Sequence, residues 1–343
     1  MTETSSPDIG VLSNAKKILE STFLIPGFER ERAFESHPIV LDTATIPTPG
    51  IKAAYDIVEE GVVHRDSGIS FTAEFRFGKT FAIRALKTQL KQNFAAVIFT
   101  VGAKDHDRNT ELSFYTDLLQ DCGHGAANLG RTALERRWRL FGMWVAAVQE
   151  TGQDRIVLFV DEGQNWHEPQ LTFLRDLSND LQRAPYGIRL ITVIFAQPVL
   201  RATREALMGA HRMDLIGRFM LTINSFRGIA SVSDTIELMK ALDDPRISEY
   251  PANSGISYSQ FFRPQAYANG WRMRDEAGAC WAEFEAVASR KRRGKLEVGM
   301  LWMNGAIRSF LYSYWKQEHG TAEFDGDVWS QAVAASRYET SIV

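Results

Sequence analysis

Cysteine is almost absent: two residues, Cys122 and Cys280, stand far apart and in no metal-ligand spacing. This argues against a disulfide framework or a zinc site and fits a reducing compartment. No apolar run approaches the roughly 20 residues of a bilayer-spanning helix, and the opening MTETSSPDIG carries no apolar signal core. The expectation is a cytoplasmic protein without a membrane partner. Charge of one sign is also lacking, since 39 Lys and Arg face 42 Asp and Glu, for a net charge of −3. Nucleic acid, if bound, must meet a local patch, or a small patch repeated around a ring of subunits. There is no internal repeat and no low-complexity tract.

What is present is a full core: 45% of the 343 residues are hydrophobic and 24% charged. Five of the 11 prolines (Pro7, Pro26, Pro38, Pro47, Pro49) fall in the first 50 residues, which read as an irregular arm. The arm has room for a short helix over 15–22 and an extended stretch over 37–50. Its apolar Phe23, Leu24, Ile25 and Phe28 indicate that part of it docks on a surface. From Ile51 the pattern alternates. Helices are expected over 51–60, 79–92, 111–120, 131–150 and 169–182, and strands over 68–72, 95–101, 156–160, 188–195 and 220–223. Continuous apolar strands separated by helices mean an α/β fold with a five-stranded parallel sheet covered on both faces. After Phe226 only helices are expected, over 231–242, 257–268, 271–288, 296–317 and 328–338, rich in Trp and Tyr.

One segment carries phosphate chemistry. A phosphate loop wraps anionic oxygens in backbone N–H groups, lets a Lys reach the terminal phosphates, and puts a Ser or Thr hydroxyl on Mg²⁺. Ala73, Glu74, Phe75, Arg76, Phe77, Gly78, Lys79 and Thr80 lie between an apolar strand and a helix and end in Gly-Lys-Thr. The usual pattern begins with Gly, and here Ala73 stands instead. Ala is tolerated there if its backbone needs no positive φ. The strand Ile156, Val157, Leu158, Phe159, Val160 then runs into Asp161 and Glu162. That places Asp161 toward the Mg²⁺ shell and Glu162 toward an attacking water, at the carboxyl edge where open α/β sheets gather their ligands. ATP and Mg²⁺ are the implied cofactors. The bland alternative for each motif is a loop–helix junction and a solvated acidic turn.

These parts, with "TPGIKAAYDIVEEGV", "LFVDEGQNW", "LTFLRDLSNDL", "ITVIFAQPVLRAT" and "LIGRFMLTINSF", resemble the TnsC/TniB-type AAA+ regulators of DNA transposition over about residues 40–230. The P-loop departs from the pattern at Ala73 and Arg76, where glycines are usual. The resemblance implies an AAA+ P-loop ATPase with an all-helical lid, and three regions: an arm (1–50), an α/β nucleotide-binding domain (51–226) and a helical lid with C-terminal helices (227–343). It makes Gln197 the sensor-1 residue, or else merely a Gln beginning a loop. Arg218, with Arg212 second, becomes the arginine finger, or else a surface arginine in a salt bridge. Arg272 and Arg274 are weaker sensor-2 choices. It also implies ATP-driven homo-oligomeric rings or filaments on double-stranded DNA without sequence preference, linking a target-selection protein to a transposase. DNA contacts would come from Lys104, Arg108, Arg136 and Arg137, beside Arg131 and Arg139. The run 289–295, SRKRRGK, is the most basic in the chain and has no assigned role.

Two other readings stay open. One is a nucleotide-binding scaffold with little hydrolysis, given the altered loop. The other is an AAA+ ATPase of secretion or replication.

Overall fold

The computed structural model describes residues 22–94, 96–290, 296–318 and 327–341. The helix expected over 15–22 lies outside them except for Thr22, as do Lys291 to Lys295 of the basic run. The chain forms two compact units: one is Gly50–Arg227, and the other joins the described residues of Met1–Pro49 to those of Gly228–Val343.

Helix α1 (Phe28–Glu35) belongs to the second unit. The first unit alternates α2 (Pro49–His64), β1 (Gly68–Thr72), α3 (Lys79–Asn93), β2 (Val97–Gly102), α4 (Glu111–Asp121), α5 (Ala133–Thr151), β3 (Arg155–Asp161), α6 (Glu168–Gln182), β4 (Arg189–Ala196), α7 (Leu200–Gly209), α8 (Met213–Phe219) and β5 (Ile223–Ser225). The five strands are all parallel in the order β2-β3-β4-β1-β5. Ile156 to Val160 of β3 are each 0% exposed, which is why that strand is apolar without alternation: both faces are covered. Thr110 and Thr132 start α4 and α5, their side chains accepting from the N–H of Ser113 and Glu135. Gly152 ends α5 in the left-handed region at φ 65°. Because β4 and then β1 follow β3 across the sheet, the carboxyl ends of β1, β3 and β4 share one edge.

The second unit contains α9 (Val232–Asp243), α10 (Tyr258–Phe262), α11 (Pro264–Ala268), α12 (Ala277–Ser289), α13 (Met300–Glu318) and α14 (Val328–Ala335). The single helix expected over 257–268 is broken at Arg263, because Pro264 disfavours helical backbone at the residue before it. The start of the helix expected over 271–288 is a 3₁₀ turn, Met273–Glu276. The last strand begins at Ile223 rather than 220, since Met220 still closes α8. In this unit Phe23 and Leu24 pack against the helical core, whereas Ile25 and Phe28 are exposed. Among the described residues no helix is long and apolar enough to cross a membrane.

His37 fixes the arm inside the second unit. It is fully buried among the rings of Tyr250, Tyr258, Phe261 and Phe262, and its Nδ1 accepts from the Ile39 N–H at 3.1 Å. Burial lowers its pKa to about 3. An unfolded His takes up its proton below about pH 6.5. Between that pH and about 3 the unfolded state therefore binds more protons, and stability falls as pH falls. The loss is up to about 1.4 kcal/mol per pH unit within that window. Thermal melts at about pH 7.5 and about pH 5.5 check this: the drop in Tm is expected to shrink in His37→Phe. An equal drop in both proteins contradicts it.

Candidate nucleotide site

The turn from β1 into α3 is the phosphate-loop segment. Its start is pinned by the Ala73 N–H donating to the Ala196 carbonyl of β4 at 3.0 Å. Ala73 is buried and its backbone is not left-handed; the left-handed residues of the loop are Arg76 (φ 68°) and Gly78 (φ 90°). Of the two departures from the glycine pattern, the one at Ala73 is thus conformationally neutral, and the one at Arg76 is not. A non-glycine residue held left-handed costs about 1 kcal/mol or more. The Arg76 guanidinium rests over the exposed Phe75 ring, 4.5 Å from its centroid. Lys79 is 6% exposed and its Nζ donates to the carbonyls of Ala73 (3.4 Å) and Glu74 (3.3 Å), so the cation is folded back into the loop's own concavity.

Across the same edge, β3 delivers its acids. Thr80 Oγ1 donates to Asp161 Oδ2 at 2.6 Å, while Asp161 Oδ1 accepts from the Glu162 N–H at 2.9 Å. A hydroxyl and a carboxylate converging in this way are the hard oxygen donors that Mg²⁺ prefers. Glu162 itself is left-handed (φ 53°). Gly163 follows because the turn lies on β4: a Cβ there would sit 2.3 Å from Ile194 Cγ2.

Two amides that sequence reasoning left without a role complete the edge. Gln164 Nε2 donates to Glu162 Oε2, and its Oε1 accepts from the Gln197 N–H at 2.9 Å. Gln197 Nε2 reaches the same Glu162 oxygen at 3.5 Å. Asn165 Nδ2 donates to the Ala103 carbonyl at 2.9 Å, tying the β2 exit to the acidic turn. The signal available beforehand was two amides one glycine beyond the paired acids, in "DEGQN".

The remaining nominated residues separate. Lys104 pairs with Asp117 and Asp121, and His106 with the other Asp117 oxygen, so this loop presents no net cation there. Arg108 is exposed. Arg136 donates to Thr116 and to the carbonyls of Asn128 and Gly130. Arg137 pairs with Asp180, and Arg139 donates to the carbonyls of Ala126 and Leu129. Arg136 and Arg139 hold the loop between α4 and α5 to α5, and Arg137 ties α5 to α6. Arg212 is engaged by Glu168 and Asp214. Arg218 donates to Ser178 Oγ and Asn179 Oδ1 of α6, both at 2.8 Å. Its backbone abuts Gly68 at the amino end of β1, the opposite end from the phosphate loop. In the second unit Arg272 donates to the carbonyls of Tyr267 and Trp271, while Arg274 is half exposed.

A family model described as an AAA domain matches residues 63–202. No curated protein matches the chain. Among solved structures, the Aeropyrum pernix ORC2 protein in ADPNP–ADP complexes aligns at 11% identity over 84% of this chain and 67% of that one, with a TM-score of 0.53. Domain III of the Thermotoga maritima replication initiation protein DnaA aligns at 13% identity over 87% and 94%, with a TM-score of 0.44. Cdc6p from Pyrobaculum aerophilum aligns at 12% identity over 85% and 86%, with a TM-score of 0.40. The parallel five-stranded sheet between helices, followed by a helical region, is the AAA+ fold.

Proposed function

We propose that the protein is an AAA+ ATPase that binds ATP at the edge formed by the β1–α3 turn and the β3 end. The observation that carries the reading is the 2.6 Å meeting of Thr80 Oγ1 with Asp161 Oδ2 beside the buried Lys79. Thr80 and Asp161 would hold Mg²⁺, which when bound neutralises phosphate charge. Lys79 moves its ammonium from two loop carbonyls to the terminal phosphates. Glu162 orients the attacking water, with Gln164 and Gln197 setting its carboxylate.

The finer proposal is a regulator of DNA transposition. ATP-bound copies assemble as a ring or filament on double-stranded DNA, without sequence preference, and connect a target-selection protein with a transposase. It is supported by the sequence resemblance. With Lys104, Arg136 and Arg137 engaged internally, Arg108 is the first DNA contact to test. An ATPase of replication is the second reading, and it shares the fold with the Aeropyrum ORC2 protein. Stimulation of turnover by a transposase separates the two.

Lys79→Ala is expected to weaken ATP binding roughly 10- to 100-fold, the value of a charge-assisted contact to phosphate. Titration with a fluorescent ATP analogue measures it, and unchanged affinity removes the nucleotide site from this edge. Negative-stain microscopy with duplex DNA and a non-hydrolysable analogue is expected to show rings or filaments only when both are present. Assemblies that form with neither contradict the nucleotide switch.

A further inference from the structure

Helix α5 carries an apolar stripe that outruns its core. Leu134, Trp138, Phe141, Val145 and Val148 follow at alternating steps of four and three residues, so they lie along one side of the helix. Phe141, Val145 and Val148 are buried, whereas Leu134 and Trp138 are exposed. Of the chain's eight tryptophans, all among the described residues, only Trp138 is exposed, at 54%. Its ring meets the Phe141 ring edge to face at a centroid distance of 5.3 Å, and Phe141 meets Tyr186 in the same way at 4.9 Å. Tyr186 is itself exposed. Arg137 and Arg139 flank Trp138, one helical step to either side; Arg139 holds the Leu129 carbonyl, and the Leu129 side chain is exposed. Gly142, one turn beyond Trp138, leaves open ground beside the ring: a Cβ there would meet nothing within 4 Å. An isolated exposed apolar residue is ordinary, but four large ones gathered around a tryptophan mark an interaction surface.

Cations frame this surface. The segments 126–142 and 180–187 hold Arg131, Arg136, Arg137, Arg139 and Arg183 against two acids, Glu135 and Asp180, in a chain whose net charge is −3. Arg136 and Arg139 are engaged by carbonyls and Arg137 by Asp180. Arg183 reaches Asp180 only at 3.4 Å with its side chain 75% exposed, and the exposed Arg131 side chain has no partner among the described residues. Apolar anchors with two available cations beside them call for an occupant that is apolar and anionic at once. Nucleic acid fits less well, because leucines offer no stacking plane and two cations do not make a row that tracks a phosphate backbone. Two copies meeting through this same surface would set arginine against arginine. We infer that the start of α5 is a docking site for an acidic amphipathic segment of a partner protein. Its large apolar residues, about one helical turn apart, cover Leu134 and Trp138, while its carboxylates meet Arg131 and Arg183. The surface uses no residue of the nucleotide edge.

Random peptides of about 15 residues, roughly four helical turns, displayed on phage and selected on the full chain, test this. The enriched sequences are expected to place Leu, Phe or Trp three or four residues apart among Asp and Glu. A fluorescently labelled synthetic copy of the most enriched sequence is expected to lose at least about tenfold in affinity with Trp138→Ala, the weight of an aromatic anchor. With Arg183→Glu the loss is expected to be roughly three- to tenfold, and wild-type binding is expected to weaken as salt rises. Both side chains are exposed, so both variants are expected to keep the wild-type Tm. If Trp138→Ala melts early through its lost contact with Phe141, Leu134→Glu replaces it and sets a like charge against the acidic segment. A selection that enriches nothing overturns the proposal, as do selected peptides that bind these variants as tightly as the wild type. Trp138-dependent binding of a single-stranded oligothymidine in place of a peptide overturns it in favour of nucleic acid. Self-association of the wild type in sedimentation velocity that Trp138→Ala abolishes, again in place of a peptide, overturns it in favour of a second copy.

Discussion

Glu162→Gln is expected to lower ATP turnover by about two to four orders of magnitude, the usual worth of a positioned general base, while ATP affinity stays within about twofold. The geometry makes the substitution nearly isosteric. Glu162 is held by its left-handed backbone, by Asp161 Oδ1 on its N–H, and by the amides of Gln164 and Gln197 on one carboxylate oxygen. A glutamine keeps the volume and an acceptor oxygen for those amides. What it loses is the anionic oxygen that takes hydrogen-bond character from water as the phosphoryl group departs. Binding depends instead on the loop N–H groups, Lys79 and the Thr80–Asp161 pair, none of which the change touches. Steady-state turnover and a binding titration on the same preparations give both numbers. Turnover equal to that of the wild type sinks the catalytic role and favours the scaffold reading. A parallel loss of affinity shows that the substitution collapsed the edge.

The sheet was legible because its strands are continuous apolar runs bounded by turns: five were expected, and the five observed differ mainly at their ends. Helix α4 begins at Glu111 as expected, whereas α5 begins at Ala133, two residues after the expected 131, since the Thr132 side-chain cap rather than hydrophobic spacing decides the boundary. Helices α7 and α8 were not distinguished from the loop before β5, because their short amphipathic stretches are set by packing on each other and, for α8, on β1 and α6. Thr80 and Asp161, 81 residues apart, could be paired on paper only because the turn from β1 into α3 and the end of β3 lie on one shared edge. The arginines of α5 were the opposite case. Arg136 and Arg139 look like a solvated or DNA-facing row, yet their partners are carbonyls of a loop several residues upstream. Backbone acceptors leave no trace in composition. Nor could the sequence tell which glycine replacement matters; the left-handed φ of Arg76 is a property of the folded turn.

Arg30→Ala is expected to destabilise the second unit by about 3–5 kcal/mol, the cost of removing one partner from a buried ion pair. Arg30 is 0% exposed, and it is a long cation where an irregular arm was expected. It lies on α1, a helix with little apolar periodicity, so its burial follows from specific contacts and not from a hydrophobic face. Its guanidinium donates to both oxygens of Glu318 at 2.8 Å and to the Phe261 carbonyl at 2.9 Å, and it lies 4.6 Å from the Trp315 ring centroid. Truncation leaves the Phe261 carbonyl and the Glu318 carboxylate without their donor and opens a void beside Trp315 and Phe261. Glu318 is 22% exposed, so water can recover part of its loss, and this places the expectation at the lower end of the range. Two further variants separate charge from packing. Arg30→Met fills the space but still strands the carboxylate. Adding Glu318→Met to it removes the orphan and is expected to recover at least about half of the Arg30→Met loss, because well-packed apolar replacements of a buried pair are often neutral. Urea titration of the four proteins, followed by tryptophan fluorescence from this Trp-rich unit, provides the comparison. A loss below about 1 kcal/mol for Arg30→Ala places the pair in the class of surface bridges and detaches the arm from the unit's stability. Equal losses for the Met single and double variants show that packing of the stem against Trp315, and not the charge pair, holds α1 in place.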